Sequence, residues 1–257
     1  MRFKLIIISL LLFCVSVALP GKNPGRIPVY MEGERLTYQI YYGLLNGGKV
    51  EMTLEPTWFN GEKVLHAKAT GYTTGLANRI FRIYDVYQSF MEPRTGLPVK
   101  AIRDISEGSY RYYNEVLFDR DSNTVVSQLS GVNEVPEGIL DMISVIYKLR
   151  DTLQTYNFNQ GDILEFTTYF SDKVYPVVVQ YSNPEVINTR KGTFNALKFY
   201  PASEPGRVFK SDNDITVWLS NDKNFVPLRV RLNMLVGSVR MDLVEAEGLR
   251  YRLHKIQ

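Results

Sequence analysis

Two histidines, His66 and His254, and one cysteine, Cys14, stand in a chain of 257 residues, and their positions bound the chemistry it can do. Serine-type catalysis needs a histidine held against a serine and oriented by an acid. His66 alternates with Lys68 on the polar side of a strand pattern, and His254 follows Arg250 and Arg252, so both read as solvent-facing. No G-x-S-x-G elbow and no phosphate-cradling glycine loop occurs. Zinc wants His and Cys ligands that converge, and two distant histidines do not supply them. No metal and no cofactor is expected.

Carboxylates are the remaining reagents. A glycosidase needs two of them about 5–10 Å apart across a cleft. Glu32 with Glu34, Asp85 with Glu92, or Asp242 with Glu245 and Glu247 could contribute, but nothing marks them off from ordinary surface acids. Asp141 stands apart because it lies near the start of a mostly apolar helix pattern, where a negative charge stabilises the helix. Arg229, Arg231, Arg240, Arg250 and Arg252 gather towards the C-terminus. They read as cross-strand ion pairs on a solvated face, with anionic lipid headgroups, lipopolysaccharide or acidic glycan as the alternative partners. The catalytic expectation is therefore none.

The elements that must hold these residues begin with an export signal. Arg2 and Lys4 precede an unbroken apolar run from Leu5 to about Val15, and Ser16-Val17-Ala18 offers small residues for cleavage. This is the order of a secretory signal peptide. The run is too short for a transmembrane helix, which needs about 20 apolar residues. Cys14 follows Leu12 and Phe13 rather than small residues, so it belongs to the signal and not to a lipid anchor. Cleavage near Ala18 leaves 257 − 18 = 239 residues without cysteine, hence without disulfides or a thiol nucleophile. It also leaves 28 basic and 27 acidic residues (30 − 2 and 27), a balance that gives no case for nucleic acid. The expected location is the periplasm or another exported compartment, with no transmembrane span after signal removal.

Residues 19–29, with Pro20, Pro24 and Pro28, read as an extended leader, and 30–257 as a single β domain. Leu36, Tyr38, Ile40, Tyr42 and Leu44 recur at period two, the mark of a half-buried strand. Asn46-Gly47-Gly48 and Asn60-Gly61 are hairpin signals. Gly75 to Phe81 reads as a short helix or turn. Strands are expected at 84–91, 99–105, 110–119 and 124–129, then at 162–170, 174–181, 186–188, 193–200, 214–219, 226–236, 238–244 and 249–256. Between the two sets, residues 137–153 switch to helical period. Ile139, Met142, Ile143, Ile146 and Leu149 share a face, and Asp141, Ser144, Lys148 and Asp151 leave only a narrow polar stripe. A helix this apolar wants burial on more than one side, which the concave side of a curved sheet provides. The fold class is mainly β: one antiparallel meander, an open or closed barrel-like curved sheet, with one central helix packed against it.

The C-terminal third carries a resemblance. Trp218-Leu219-Ser220-Asn221-Asp222 followed by Pro227-Leu228-Arg229-Val230, the upstream strand Gly192-Thr193-Phe194-Asn195-Ala196-Leu197-Lys198-Phe199, and the helix Ser144-Val145-Ile146-Tyr147-Lys148-Leu149-Arg150 together resemble the exported bacterial family known as domain of unknown function 3108. The resemblance runs from about Tyr30 to the end. The family has no established activity, so no catalytic residue carries over. The tryptophan–aspartate–proline hairpin is also distantly similar to that of periplasmic lipoprotein carriers, and implies a half-barrel whose concave face, closed by helices, holds acyl chains.

Three functions compete. The first is a non-enzymatic envelope protein that binds a lipid, a lipoprotein acyl chain or another apolar ligand between sheet and helix, with Tyr38, Tyr42, Ile139, Met142, Ile143, Ile146 and Trp218 as candidate pocket lining. The second is a structural or interaction protein whose core is filled and whose outer face docks an envelope partner. The third is a carboxylate-dependent glycan or peptide hydrolase. A large apolar pocket between sheet and helix marks the first; a solid core and an outer apolar patch mark the second.

Overall fold

The computed structural model describes residues 27–202, 215–234 and 237–256. The expected signal peptide and most of the expected leader lie outside them. Of the leader's last residues, Val29 is already buried against the core.

Alternating residues build β1 (Glu34–Tyr42), β2 (Leu45–Phe59), β3 (Glu62–Thr73), β4 (Ile83–Met91), β5 (Pro98–Glu107), β6 (Tyr110–Asp119), β7 (Thr124–Ser127) and β8 (Gly131–Glu134). A short helix α1 (Gly75–Ile80) joins β3 to β4. After the second helix, α2 (Ser144–Leu153), come β9 (Ile163–Phe170), β10 (Lys173–Thr189), β11 (Gly192–Ala202), β12 (Ile215–Ser220), β13 (Pro227–Asn233) and β14 (Ser238–Glu247). All fourteen strands form one antiparallel sheet in the order β8 to β1, then β14 to β9. Two meanders are thus joined where the first strand pairs with the last, Leu36 opposite Ala246 and Ile40 opposite Met241. The sheet is open. The chain passes from one edge strand, β8, to the other, β9, through α2.

The mainly β class, the one antiparallel meander-built sheet and the central helix agree with the sequence reading, but several boundaries differ. The helix starts at Ser144, not 137. Gly138 takes a left-handed φ of 74°, which breaks the helical path. Leu140 then lies along the free edge of β9, donating its N–H to Thr167 O at 2.9 Å and accepting from Tyr169 N at 2.8 Å. The first hairpin turns at Gly43-Leu44, and Asn46-Gly47-Gly48 belong to β2. Gly48 is needed for close approach: a Cβ there would lie 2.3 Å from Tyr72 O. The expected strands 174–181 and 186–188 are one bent strand, β10, whose register shifts between Tyr181 and Pro184. Residues 249–256 are not a strand. Gly248, at φ 62°, turns the chain away, and the tail is tied to loops by Tyr251 N to Asn224 Oδ1 at 3.0 Å and Ile256 N to Thr193 O at 3.0 Å.

The core lies on the inner face of the sheet around α2. Ile143 and Tyr147 join Leu36, Tyr38, Leu54, Phe194, Trp218, Leu228 and Leu243. Val145 and Leu153 join Phe166, Val179, Tyr181, Leu197, Phe199 and Leu219. Ile146 touches both groups. The helix is therefore buried on two faces, as its narrow polar stripe demands. Ile139, ahead of it, packs with Val116, Phe118 and Val125.

Candidate functional site

Two polar constellations sit at the contact of α2 with the sheet. One is fully buried. Glu34 opens β1 on the same parity as Leu36 and Tyr38, so its side chain points inward. Arg150 follows Ile143 by seven residues and Tyr147 by three, which places it on the apolar face of α2. The two meet in a forked pair, with Arg150 Nη1 donating to Glu34 Oε1 at 2.6 Å and Nη2 to Oε2 at 2.8 Å. Arg150 Nε donates to Asn224 O at 3.1 Å. Both side chains are 1% exposed. Tyr147 lies under the guanidinium, 5.5 Å away, and meets Tyr30 edge-on at 4.9 Å. Burial favours the neutral form of Arg150, but the Glu34 carboxylate outweighs this and holds it firmly protonated. Burial pushes the Tyr147 hydroxyl well above its ordinary range. This cluster ties helix to sheet and presents no atom to a substrate.

The other constellation borders a cleft of about 50 Å³ between β4–β6, the β9–β10 turn and the start of α2. Arg103 crosses it, stacked 4.7 Å from the Tyr112 ring and 4.5 Å from Phe170, with Tyr87 at 5.7 Å. Its Nη1 donates to Ser171 Oγ at 2.9 Å. Ser171 and Asp172 both adopt left-handed φ, at 49° and 60°, which folds the turn tightly against the opposite half of the sheet. There Asp172 Oδ1 accepts from Ser127 Oγ at 2.5 Å, Ser130 Oγ at 3.0 Å and Asn114 Nδ2 at 3.3 Å.

Asp141 lines the same cleft and caps α2. Its Oδ1 accepts from the backbone N–H of Ile143 at 2.7 Å and of Ser144 at 3.0 Å. Ser144 Oγ accepts in return from Asp141 N at 2.8 Å. This reciprocal arrangement is a capping box, and the bond from Val145 N to Asp141 O at 3.1 Å starts the helical ladder there. Ser89 Oγ donates to the second carboxylate oxygen at 2.5 Å. Burial raises the Asp141 carboxyl above its ordinary 3.8, against the lowering effect of these bonds. Asp141 thus has both carboxylate oxygens engaged in holding chain segments, and Asp172 gathers these three bonds on Oδ1, which is positioning rather than acid–base work.

A stability prediction follows with a definite sign. A carboxyl whose folded-state pKa is raised binds more protons folded than unfolded between the two values, so stability falls as pH rises through that window. Asp141→Asn keeps an acceptor for the cap and removes the buried charge. It is expected to gain stability relative to the parent as pH climbs above 3.8, and the gap is expected to level off once the parent's carboxylate is fully ionised. Asp141→Ala loses the cap as well and should cost about 1–2 kcal/mol. Urea melts of the three proteins across pH 3–8 read both effects.

The candidate lining residues do not share one pocket. Met142 and Ile143 border the cleft. Tyr38 and Trp218 lie in the core with Ile143, and Ile146 bridges two core groups. Ile139 is in the third group. Tyr42 ends β1 at the rim of the sheet and is 45% exposed. Trp218 also donates Nε1–H to Glu185 at 2.9 Å, a structural anchor. His66 is not simply solvent-facing: it stacks on Phe90 at 4.4 Å and donates Nε2–H to Gln88 at 2.8 Å, and burial lowers its pKa. His254 is exposed. The C-terminal arginines divide. Arg229 grips Asp242 at 2.5 and 3.0 Å, Arg240 approaches it at 3.3 Å, and Arg250 donates to Tyr30 O at 3.1 Å. Arg231 and Arg252 are exposed. Among the described residues no group of His, Cys, Asp and Glu side chains is placed to hold a metal ion, and no helix is long and apolar enough to cross a membrane. The sequence reading passed over Arg150, Arg103 and the Asp172 network. The helical spacing Ile143–Tyr147–Arg150 was the available signal for the first; the other two depend on strand pairing far along the chain.

Among solved structures, the chain resembles a β-barrel-like protein of domain of unknown function DUF1849 from Brucella abortus, at 9% identity over 87% of this chain and 100% of that one, with a TM-score of 0.56. A presumptive lipoprotein from Parabacteroides distasonis matches at 11% identity, 86% and 99% coverage and a TM-score of 0.38. A presumptive exported protein with a YmcC-like fold from Bacteroides fragilis matches at 10%, 86%, 98% and 0.35. The first likeness concerns the fold alone. No curated protein matches the sequence. The family described as protein of unknown function (DUF3108) matches residues 37–244. That span covers most of the β domain and includes both the Trp218–Pro227 hairpin and α2, so the chain belongs to the DUF3108 family.

Proposed function

We propose that this is an exported, non-catalytic protein of the bacterial cell envelope in which α2 fills the curved sheet and the outer surface docks a partner. One observation carries this reading: the space between sheet and helix is occupied by side chains and locked by the buried Glu34–Arg150 pair. The cleft that remains there, about 50 Å³, compares with about 300–1,000 Å³ for pockets that take drug-sized ligands. An acyl chain held between sheet and helix would have to displace α2. The outer surface offers more room. A depression of about 390 Å³ on the outer face of β6 and β7 is lined by Tyr113, Leu117 and Val126 with Glu115 and Gln128. The export signal expected from the N-terminal sequence supports the envelope location, and the fully bonded Asp141 carboxylate and the distant histidines support a non-catalytic role.

The test is native mass spectrometry of protein purified from its own envelope, with lipid extraction and cross-linking before lysis. The docking reading expects the bare mass of the mature chain together with a cross-linked envelope component. Stoichiometric lipid, released only on unfolding, would instead establish the lipid-carrier reading.

A further inference from the structure

In an antiparallel meander alternate turns lie at the same end of the sheet. One end carries the β1–β2 turn, the β3–β4 connection with α1, and the β5–β6 turn. The close contact of Thr74 N with Gly47 O at 3.2 Å joins the first two, and that of Gly108 N with Arg82 O at 2.8 Å joins the last two. This rim is apolar where it should be polar. Leu44 is 99% exposed, Leu45 67%, Leu76 67%, Ile80 76% and Phe81 51%, with Tyr84 and Tyr110 beside them about half exposed. Turns at the opposite end include the polar Asn60-Gly61, Asp121-Ser122-Asn123 and Arg190-Lys191. Core packing does not account for the rim, because α1 buries none of its residues. Leu76 and Ile80, four apart, lie on one face of α1.

The exposed charged residues of α1 and its flanking turns are basic. Arg79, Arg82 and Arg111 are exposed. Among the described residues none of the three forms an ion pair; Arg111 donates only to the turn carbonyls of Gly108 and Tyr110, at 2.8 and 2.7 Å. Two half-buried acids lie at the same end, Glu107 at the close of β5 opposite Ile83 and Tyr110, and Asp85 within β4, so the three arginines outnumber them. Exposed leucine, isoleucine and aromatic side chains ringed by arginine are the composition of a surface that sits in the headgroup region of a membrane.

We propose that this rim docks on an anionic lipid surface, with Leu76, Ile80 and Phe81 entering the headgroup layer and Arg79, Arg82 and Arg111 contacting lipid phosphates. The inference rests on the docking reading and names its partner. It is tested by co-sedimentation of the purified mature chain with phosphatidylcholine vesicles, with and without phosphatidylglycerol. Binding is expected to require phosphatidylglycerol and to weaken as salt is raised. At about fivefold per basic residue, the variant R79Q/R82Q/R111Q should bind roughly 100-fold more weakly. A second variant, L76S/I80S, should also lose binding with an unchanged melting temperature, since α1 packs no core. Absence of vesicle binding by the folded parent overturns the proposal. So does undiminished binding by both variants, or a concentration-dependent dimer that L76S/I80S abolishes. Each outcome is read without reference to interior lipid, so failure here is distinguishable from failure of the filled-core reading.

Discussion

Arg150→Met is expected to destabilise the fold by about 3–5 kcal/mol, because it leaves the Glu34 carboxyl 1% exposed and without its partner. The cost is large against a typical total of about 5–15 kcal/mol. Desolvation is the reason. The forked pair at 2.6 and 2.8 Å compensates two groups that would each be expensive to bury alone. Glu34→Leu should be damaging for the converse reason. The double variant Glu34→Leu/Arg150→Met should recover most of the loss, since buried ion pairs can often be exchanged for apolar residues of similar volume at little cost. The bond from Arg150 Nε to Asn224 O at 3.1 Å is not replaced, so recovery should stop about 1 kcal/mol short. Urea melts of the four proteins give the coupling directly. Singles within about 1 kcal/mol of the parent would mean that water reaches the pair.

Phe194→Ala is expected to cost about 3–5 kcal/mol. Phe194 is fully buried on β11 and packs within the group that holds Tyr38, Trp218 and Leu228. Its removal opens an apolar void in an interior that is otherwise filled. Such a void stays dry and admits small apolar molecules, so the variant should acquire xenon or benzene binding that the parent lacks. Had the interior been an open ligand pocket, the substitution would enlarge an existing space. The cost would then be that of transfer alone, about 1.5–3 kcal/mol, and the parent would bind the probe already.

Much of this architecture was legible from local pattern. Period-two alternation gave most strands, and the change of period before Leu153 gave the central helix. What local pattern could not supply was register. Tyr42 continues the alternation of Tyr38, yet it ends β1 at the rim, beyond the helix that covers Tyr38. The first turn falls at Gly43 rather than Asn46-Gly47-Gly48, and the last of these, Gly48, serves instead a close approach to Tyr72 on β3. The helix was read seven residues too long because Ile139, Met142 and Ile143 fit helical spacing, while Gly138 and the free edge of β9 act through backbone terms that the apolar pattern does not contain.

The site was less legible than the fold, for a physical reason. Charged residues on an apolar helix face read as solvated by default, yet Arg150 is buried because Glu34, over a hundred residues earlier, meets it there. Asp141 was recognised as helix-stabilising from its place near the helix start. Its bond to Ser89 depends on β4 lying across the sheet. Arg103 and Asp172 meet through Ser171 at a hairpin tip folded over the other meander, a contact that exists only once both halves of the sheet are assembled.

Native-state hydrogen exchange at the amides of α2 tests the filled interior most directly. If the helix is locked inside the curved sheet, those amides should exchange only through global unfolding, with the same opening free energy and urea dependence as the core strands β1 and β11. Exchange of α2 as a separate unit, several kcal/mol below the strands, would show that the helix leaves the sheet while the rest stays folded, and would contradict the account.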